Sequence, residues 1–593
     1  MKGTVFAGTM GWMNEARGSR GLVIAGAHGH EDLCSRRFLK LLADRAAEAG
    51  YPTLLFDYPG CGNAVGDHSA PGQVAAWTAS IGAAIDHLKQ ESGVTDVVLA
   101  GFRLGALLAP FAAIGRDDVA GLMLLAPPAS GKALVREIVA MSRMIDAPLA
   151  SRAGKGDSFP EGREAAGFRL THGTLADLAE LDWRPAAADL PALPMLVLSN
   201  GRPVSLSEFQ PGGNAEITMG EFDGYALLMC DPTANRIPDA VLDRCAEWLA
   251  VHAGKERTGQ GARASSVPVL QGSNYTEEPV VITGGSAICG VLCRPAGLLA
   301  STEPVIFLNA GAVPHIGWAR GTVEAARELA AKGMVSLRID LPGLGVSGAT
   351  DPGRLFLYDA ETRNDVRRVI DWMEQAGFPA VGLVGTCSGA FQAFHTARVD
   401  RRVRSLAMIN PLCFAWNSSY ALELAVWKTY EAAKAGSGSD GAAGAAGAAP
   451  ASHSFVTALR SLAGRAGKRV VRRGLEAAKS FLTALHPAGL LGRRPVERWM
   501  RQLCSRGVRV LMVTSEGDLS LEEIARHFGP DGRRLDSIKG VTRLSLPNAD
   551  HTLTPGHARR MVIDGLIQHA GIAREGSAPV KAIRAGAAPA VAS

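Results

Sequence analysis

Residues 381–390 read VGLVGTCSGA, in which an apolar strand pattern runs directly into a G-x-C-x-G turn and then into a helical pattern. This order predicts a nucleophile elbow, the strained strand-to-helix turn that presents a reactive side chain at the edge of a sheet. Such a turn needs small residues two positions before and after the nucleophile, because the strand and helix backbones pass close to each other. Gly385 and Gly389 fill those positions, and Cys387 fills the place of the nucleophile.

Two other interpretations of this turn have to be weighed. A free cysteine is more often a small buried hydrophobe than a reactive group, and the adjacent Ser388 could be proposed as the nucleophile instead. The residues two positions from Ser388 are Thr386 and Ala390, which are not glycines. We therefore expect Cys387 to react, and we expect the backbone N–H of Ser388 to matter more than its hydroxyl.

The composition is typical of a globular protein with more than one domain. The chain has 593 residues, of which 47% are hydrophobic and 20% charged, and its net charge of +5 is too small for a dedicated nucleic-acid-binding protein. Its nine cysteines include no CxxC pair, so we expect neither a disulfide framework nor a zinc site, and we predict a reducing compartment. We expect no metal and no cofactor.

The sequence carries no clear targeting signal. The first residues, MKGTVFAGTMGWMNEARGSRG, lack the basic and apolar regions of a secretion signal. The longest apolar stretch, residues 97–114, is interrupted by Arg103 and Pro110, which favours a buried strand and helix over a membrane span. We expect a cytoplasmic protein.

One order of strands and helices occurs twice along the chain. Apolar strand candidates alternate with amphipathic helical patterns in both halves, which predicts a mostly parallel sheet covered by helices on both faces. Three pairs of segments correspond: TLLFDYPGCG (53–62) with VSLRIDLPGLG (335–345), AGFRLGALLA (100–109) with VGTCSGAFQA (384–393), and MLVLSNGRPVSLSEF (195–209) with VLMVTSEGDLSLEEI (510–524). We predict two tandem α/β domains, at residues 1–253 and 275–575.

Three segments fall outside this repeat. Residues 254–274 are polar and are interpreted as a linker. Residues 412–504 interrupt the second repeat and are expected to form a helical cap, with a low-complexity stretch at 435–454 that is expected to be disordered. The alanine-rich tail at 576–593 is expected to be disordered as well.

The predicted cap contains a basic amphipathic pattern around residues 455–485. A solvated helix face is the commoner use of such a pattern. Attraction to an anionic substrate, or weak contact with a membrane surface, is the functional alternative. The basic residues are Arg460, Arg465, Lys468, Arg469, Arg472, Arg473 and Lys479.

A thiol at an elbow needs a base, and the base needs a group that holds its tautomer. Asp518 follows the strand pattern RVLMVTS, and His551 follows the last strand pattern in LPNADHTLTP, so both are expected at the carboxyl edge of the sheet. Asp518 could instead cap the following helix, and Asp550 could orient the histidine. Other histidines, such as those at 315, 395 and 486, lack this position after a strand.

The expected chemistry is acyl transfer. The helix N-terminus and a nearby imidazole favour the thiolate of Cys387, which would attack an acyl carbonyl while His551 moves protons. The oxyanion would be bound by the backbone N–H of Ser388 and by one from the loop LNAGAVPHIG, at Gly311 or Ala312.

The first repeat lacks the same residues at the corresponding positions. Arg103 stands at the nucleophile's place in GFRLG, Arg202 where Asp518 stands, and Gly224 where His551 stands. A guanidinium has no nucleophilic form at physiological pH, so we expect this half to be catalytically silent. Arg103 and Arg202 could form an anion-binding pocket, or Arg103 could be buried against a local aspartate.

Two histidines of the first repeat offer another alternative. His28 and His30, in the segment AHGHED, lie on the loop after the first core strand and could be active groups. With no nucleophile and no late histidine in this repeat, we expect them to have a binding or structural role.

The second repeat resembles the serine-aminopeptidase-like (peptidase S33-like) α/β-hydrolases, particularly the hydrolases associated with exosortase and exopolysaccharide gene clusters. The segments that carry this resemblance are LNAGAVPHIG, LRIDLPGLGVSG, LVGTCSGAFQAF, MINPLCFAW and ADHTLTP. The first repeat looks like a sister type of the same group, through GHEDLCSRRF, LLFDYPGCGN and GFRLGALLA. The resemblance implies a tandem of two α/β-hydrolase domains, the first degenerate, and a hydrolase with the triad Cys387, Asp518 and His551.

Two functions are consistent with these features. The first is a cofactor-free hydrolase or acyltransferase of the esterase or thioesterase type that acts on a small acyl substrate, with a cysteine where the family name implies a serine. The second is a non-catalytic binding or scaffold protein of a polysaccharide or lipid-linked assembly pathway. A nucleotide-binding protein is disfavoured, because the glycine-rich turns lack the lysine and Ser/Thr of a P-loop.

Overall fold

The computed structural model describes residues 1–150, 159–201, 216–256, 267–299, 303–348, 357–359, 361–416 and 494–571. The chain divides into one compact unit, Met1–Cys413 with Leu503–Ser593, and a second unit, Phe414–Gln502. Several predicted features lie outside the described residues. They are most of the predicted cap at 412–504, the stretch at 435–454, the basic pattern at 455–485, the tail at 576–593, and Arg202.

The first half forms an eight-stranded sheet in the order β1-β2-β4-β3-β5-β6-β9-β10. Strands β3 to β6, β9 and β10 run parallel, and β1 and β2 are joined to them by antiparallel pairing. The strands are β1 (Lys2–Phe6), β2 (Thr9–Asn14), β3 (Arg20–Ala25), β4 (Thr53–Phe56), β5 (Asp96–Phe102), β6 (Val119–Leu125), β9 (Met195–Ser199) and β10 (Ile217–Glu221), with a separate hairpin β7 (Gly162–Ala165) and β8 (Phe168–Thr171).

Helices cover this sheet on both faces. One face packs against α2 and α3, around the fully buried Trp77, and the other packs against α1 and α8. The helices are α1 (His30–Glu48), α2 (Gln73–Ser92), α3 (Leu104–Ala113), α4 (Gly131–Ala150), α5 (His172–Glu180), α6 (Trp183–Ala188), α7 (Tyr225–Leu228) and α8 (Asp239–Val251).

The second half repeats this strand order in a nine-stranded sheet, β11-β12-β13-β15-β14-β16-β17-β18-β19. The strands are β11 (Leu270–Gln271), β12 (Tyr275–Ile282), β13 (Ile288–Pro295), β14 (Val305–Leu308), β15 (Ser336–Asp340), β16 (Val381–Thr386), β17 (Val403–Ile409), β18 (Arg509–Ser515) and β19 (Val541–Leu546). The helices are α9 (Gly321–Ala331), α10 (Thr362–Gln375), α11 (Ser388–Val399), α12 (Pro495–Ser505), α13 (Ser520–Phe528) and α14 (Gly556–His569), with short 3-10 turns at Trp318–Arg320 and Pro530–Gly532.

The predicted mostly parallel sheet is confirmed in both halves. The prediction omitted the antiparallel pairs β1–β2 and β12–β13, which begin each sheet. Strand β11 falls inside the predicted linker and pairs with Thr276 and Glu277. The predicted domain boundaries remain a prediction, since both sheets belong to the same compact unit.

Buried arginines of the second half bond backbone and carboxylate groups at the contact with the first half. Arg320 donates to the carbonyl oxygens of four residues in the turn after β4, namely Gly60, Gly62, Ala64 and Gly66. Arg338 and Arg327 both bond the buried carboxylate of Glu277, and Arg327 also reaches the carbonyl of Asn63 at 2.6 Å. Each buried cation therefore has acceptors that offset the cost of removing it from water.

Candidate active site

Cys387 lies on a strained turn between β16 and α11. Its backbone angles, φ 55° and ψ −117°, fall in a region that L-residues rarely adopt. The two glycines around it make the turn possible: a Cβ on Gly385 would collide with the carbonyl of Gly389, and one on Gly389 would collide with that of Asn309. The backbone geometry is thus that of the predicted elbow, and it leaves Cys387 partly exposed at the start of α11.

Asp518 and His551 are brought together at the carboxyl edge of the same sheet. The carboxylate Oδ2 of Asp518 lies 2.8 Å from Nδ1 of the imidazole. The other carboxylate oxygen accepts a hydrogen bond of 2.8 Å from the backbone N–H of Ser520, next to the first turn of α13. One carboxylate oxygen of Asp518 therefore bonds the start of α13, and the other bonds the histidine. Both contacts that we considered for Asp518 are present.

Asp550, the alternative partner of the histidine, is used inside its own loop. Its carboxylate accepts from the hydroxyl of Thr552 and from the backbone N–H of Thr554. Asn410, at the end of β17, fixes the position of this loop instead: its side-chain amide donates to the carbonyl of His551 at 3.0 Å and to Ser515 Oγ at 2.9 Å. The residues after β17, β18 and β19 are thus held together by hydrogen bonds.

The thiol, the imidazole and the carboxylate shift one another's pKa values. Burial by itself would raise the pKa of the Cys387 thiol, but the charge and a loose hydrogen bond from His551, with further hydrogen bonds, outweigh burial, and the pKa lies below its usual value. Burial would lower the pKa of His551, and the opposing effects of Cys387 and Asp518 raise it well above its usual value. The pKa of Asp518 is lowered, because the hydrogen bond with His551 outweighs burial.

The contact between the imidazole and the thiol is looser than the one with the carboxylate. Nε2 of His551 is buried and makes no well-formed hydrogen bond with any residue in the described part of the chain. Its effect on the thiol is therefore mainly electrostatic in this geometry. Catalytic hydrogen bonds are often long before substrate binds, so a loose contact is compatible with proton transfer.

Tyr358, which the sequence did not point to, is a second neighbour of the thiol. Its hydroxyl lies 3.7 Å from Sγ of Cys387 and lowers the pKa of the thiol by a hydrogen bond. The ring packs edge-on against Phe391 at 5.5 Å, and the preceding carbonyl, of Leu357, accepts a bond of 2.7 Å from Gln392. Helix α11 therefore presents the thiol at its start and anchors the tyrosine from its second turn.

The loop at 309–317, hereafter the active-site loop, carries Gly311 and Ala312, one of which we expect to bind the oxyanion through its backbone N–H. The N–H of Gly311 donates to the hydroxyl of Ser388 at 2.9 Å, and that of Ala312 donates to the hydroxyl of Thr233 at 3.3 Å. Both N–H groups therefore already have hydroxyl partners. The hydroxyl of Ser388, which we expected to be the less important part of that residue, is the group that contacts the active-site loop.

The first half has the same turn without a nucleophile. Arg103 has φ 53° and ψ −109°, close to the angles of Cys387, and a Cβ on Gly101 or Gly105 would again collide with a backbone carbonyl. The strained backbone is therefore present at both elbow positions. Gly224, with φ 81°, begins α7 and offers no side chain where His551 stands in the second half.

The guanidinium of Arg103 is buried and ion-paired. It bonds Glu31 at 2.7 Å and also Glu137, and Tyr225 donates to the same Glu31 at 3.2 Å. The carboxylates are glutamates rather than the predicted aspartate. Because two carboxylates face one guanidinium, the anion-binding pocket expected from Arg103 is disfavoured.

His28 and His30 each lie against aromatic rings. His28 lies 5.3 Å from the Trp77 ring and its pKa is lowered by burial to about 4, so it is neutral at physiological pH. Burial also lowers the pKa of His30. The ring of His30 packs against that of Trp318, just after the active-site loop, with 5.6 Å between the ring centroids. Both positions fit the expected binding or structural role better than that of a charged base.

A second His–Asp pair lies in the core of the compact unit. Nδ1 of His315 is 2.7 Å from the carboxylate of Asp340, both side chains are fully buried, and Nε2 contacts Asn63 of the first half at 3.2 Å. The prediction set His315 aside because it does not follow a strand. Its contacts are those of a structural residue that joins the two halves.

The sheet order and the two elbows define the fold as that of the α/β-hydrolases. Residues 22–264 match the model of the "Alpha/beta hydrolase family". The match covers the half that carries Arg103, not the half that carries Cys387. A search among curated proteins returned no match.

Three solved structures are similar to parts of this chain at low identity. Est1E from Butyrivibrio proteoclasticus, with ferulic acid bound, is 18% identical, and the alignment covers 42% of this chain and 99% of that one at a TM-score of 0.30. Proline iminopeptidase from Mycobacterium smegmatis is 17% identical over 50% and 100% of the chains at 0.31. The esterase Pf2001 from Pyrococcus furiosus is 15% identical over 50% and 94% at 0.30. At these values, their activities do not transfer to this chain.

Within the described residues, no helix combines the length and the apolar character needed to cross a membrane.

Proposed function

We propose that this protein is a hydrolase or acyltransferase that cleaves an ester or thioester through Cys387, His551 and Asp518. The observation that carries the proposal is a thiol on a strained elbow, coupled to an imidazole whose other nitrogen lies 2.8 Å from a carboxylate. This is the arrangement of nucleophile, base and orienting group that covalent acyl transfer requires. The residues also follow the chain order of nucleophile, acid and histidine.

In the first step, the thiolate sulfur forms a bond to the carbonyl carbon of the substrate, and the carbonyl π electrons move to the oxygen. Protonated His551 then gives its Nε2 proton to the leaving oxygen or sulfur as the bond to the carbonyl carbon breaks. The products are an alcohol or thiol and a thioester on Cys387. Asp518 holds the Nδ1 tautomer and stabilises the charged ring.

In the second step, neutral His551 takes a proton from water, and the hydroxide attacks the thioester carbon. The C–S bond breaks with its electron pair on sulfur, which restores the thiolate and releases a carboxylic acid. An alcohol or amine in place of water gives acyl transfer instead of hydrolysis. The oxyanion of both steps is assigned to the Ser388 N–H and to the Gly311 N–H of the active-site loop, which exchanges the Ser388 hydroxyl for the oxyanion, while the Ala312 N–H keeps its bond to Thr233.

The first half is proposed to be non-catalytic. Its elbow carries an arginine that is ion-paired to two glutamates, and a guanidinium stays protonated at physiological pH. We further propose that the chain is a cytoplasmic tandem of peptidase S33-like domains of the type found in exosortase systems. The segments quoted above support this finer assignment.

A test uses p-nitrophenyl acetate and acetylthiocholine as ester and thioester probes. Wild-type protein should release p-nitrophenolate or thiol, and Cys387→Ala should lose at least about a hundredfold of the rate. The matched control is Cys230→Ala, which removes an exposed cysteine of the first half and should leave the rate unchanged. Absence of turnover of both probes by the wild type, or full activity in Cys387→Ala, would favour the alternative of a binding or scaffold protein.

A further inference from the structure

The active-site loop receives a hydrogen bond partner from the other half of the chain. Asn309 fixes its start through bonds to Asp340 and to the carbonyl of Val313, and His315 fixes its end through Asp340. Between these points the N–H of Ala312 donates to the hydroxyl of Thr233 at 3.3 Å. The middle of the loop is therefore tied to the first half of the chain.

Thr233 sits close against the loop and is itself held in place. A Cβ on Gly311, where φ is +60°, would collide with the Thr233 hydroxyl, so the loop and the hydroxyl are in close contact. The N–H of Thr233 donates to the carboxylate of Asp231 at 2.8 Å. Asn235, two residues further, donates to the carbonyl of Cys34 on α1 at 2.7 Å.

Apolar contacts between the halves support the same loop. Side chains of the first half, Leu33 and Phe168, form one buried cluster with residues in and after the loop, Val313, Ile316 and Ala319. Just after the loop, the indole N–H of Trp318 donates to the carbonyl of Ala166 at 2.9 Å. The loop is thus packed between its own sheet and the first half.

We propose that Thr233, a residue of the non-catalytic half, is a positioning residue for the active-site loop of the catalytic half. This inference rests on the proposed function of Cys387. The first half thus serves the reaction although its own elbow carries no nucleophile. The Thr233 hydroxyl fixes the backbone of Ala312, in the segment that the acyl-transfer steps need near the developing oxyanion. Accurate placement of such groups has large effects on rate, since a displacement of about 1 Å can cost about a hundredfold.

The test compares Thr233→Val, which removes the hydroxyl and keeps the shape, with Thr233→Ser, which keeps the hydroxyl. The matched control is Thr78→Val, because the hydroxyl of Thr78 donates to the carbonyl of Val74 in its own helix. With p-nitrophenyl acetate, Thr233→Val should lower kcat about tenfold with little change in KM. Thr233→Ser and Thr78→Val should keep the wild-type kcat.

A second reaction separates loop positioning from general damage. Alkylation of Cys387 by iodoacetamide is a displacement at a saturated carbon and forms no oxyanion. Its rate should therefore be the same in Thr233→Val and in the wild type. Equal losses in acylation and alkylation would mean general structural damage, and a kcat above that of the wild type would mean that the hydroxyl blocks the Ala312 N–H; either result overturns the proposal.

Amide hydrogen exchange of the peptide 309–316 supplies a readout that does not depend on turnover. This peptide should exchange faster in Thr233→Val than in the wild type, and at the wild-type rate in Thr78→Val. Unchanged exchange in Thr233→Val would refute the inference even if the enzyme is active. Faster exchange in a protein without acyl activity would keep the structural part of the inference and refute the proposed function.

Discussion

Replacement of His551 by glutamine tests the coupling between the thiol and the imidazole. The substitution removes the positive charge and leaves the thiol in its buried surroundings. Burial raises the pKa of the thiol. Among the effects that lower this pKa, the charge and the hydrogen bond of His551 are the largest. The pKa of Cys387 should therefore rise in His551→Gln, because the main effect that opposes burial is gone.

The sign of the pH dependence follows from these directions. The thiolate is present above the lowered pKa of Cys387, and the imidazolium is present below the raised pKa of His551. The thiolate–imidazolium pair is therefore populated between the lowered pKa of Cys387 and the raised pKa of His551. A thiol at its reference pKa of about 8.5 is only about 3% ionised at pH 7, so loss of the effect of His551 should lower the thiolate population of Cys387 toward that fraction or below it.

The assay is the rate of iodoacetamide alkylation at Cys387, followed by peptide mass spectrometry from about pH 5 to about pH 10. The midpoint of the pH–rate curve should lie at higher pH in His551→Gln than in the wild type. His557→Gln, in which a nearby ring bonded to the carbonyl of Pro547 is changed, serves as the matched control and should keep the wild-type midpoint. Equal midpoints in wild type and His551→Gln would refute the ion-pair reasoning.

Three further outcomes follow from the same contacts. Asp518→Asn should lower kcat for p-nitrophenyl acetate by about 10²–10⁴, because an amide can hold the neutral ring in the wrong tautomer and does not stabilise the charged ring; an unchanged kcat would contradict this role. Tyr358→Phe should move the alkylation midpoint of Cys387 to higher pH, because one hydrogen bond to the thiolate is lost. The shift should be smaller than that in His551→Gln, and an unchanged midpoint would exclude the bond. Arg103→Met should lower the free energy of unfolding, measured in urea, by about 3–5 kcal/mol, because two glutamates lose their cation; equal stability would show that the ion pair contributes nothing.

Much of the fold and the three central residues could be predicted from local signals. The elbow is visible because the two glycines that backbone contacts require, Gly385 and Gly389, stand in one short segment around Cys387. Asp518 and His551 could be placed because each follows a strand of a parallel sheet, where carboxyl ends meet at one edge. Strand β2, with the letters TMGWMN, was missed because its side chains are buried at every position and show no alternation.

The contacts that the sequence did not reveal join residues far apart in the chain. Tyr358 lies in a segment without strand or helix periodicity, and its neighbour Cys387 is 29 residues away. Thr233 meets Ala312 across 79 residues and between the two halves. The glutamates that balance Arg103 stand on other elements. None of these pairings follows from composition or periodicity, because each depends on how packed elements meet in three dimensions.

The site of acylation tests the central claim most directly. Wild-type protein mixed with p-nitrophenyl acetate is quenched with acid, digested and mapped by mass spectrometry. We expect an acetyl group on Cys387 in the elbow peptide of the wild type, and none on Cys387 when His551→Gln is treated in the same way. An acetyl group on Ser388 instead of Cys387, or turnover without any acetylated elbow peptide, would contradict it.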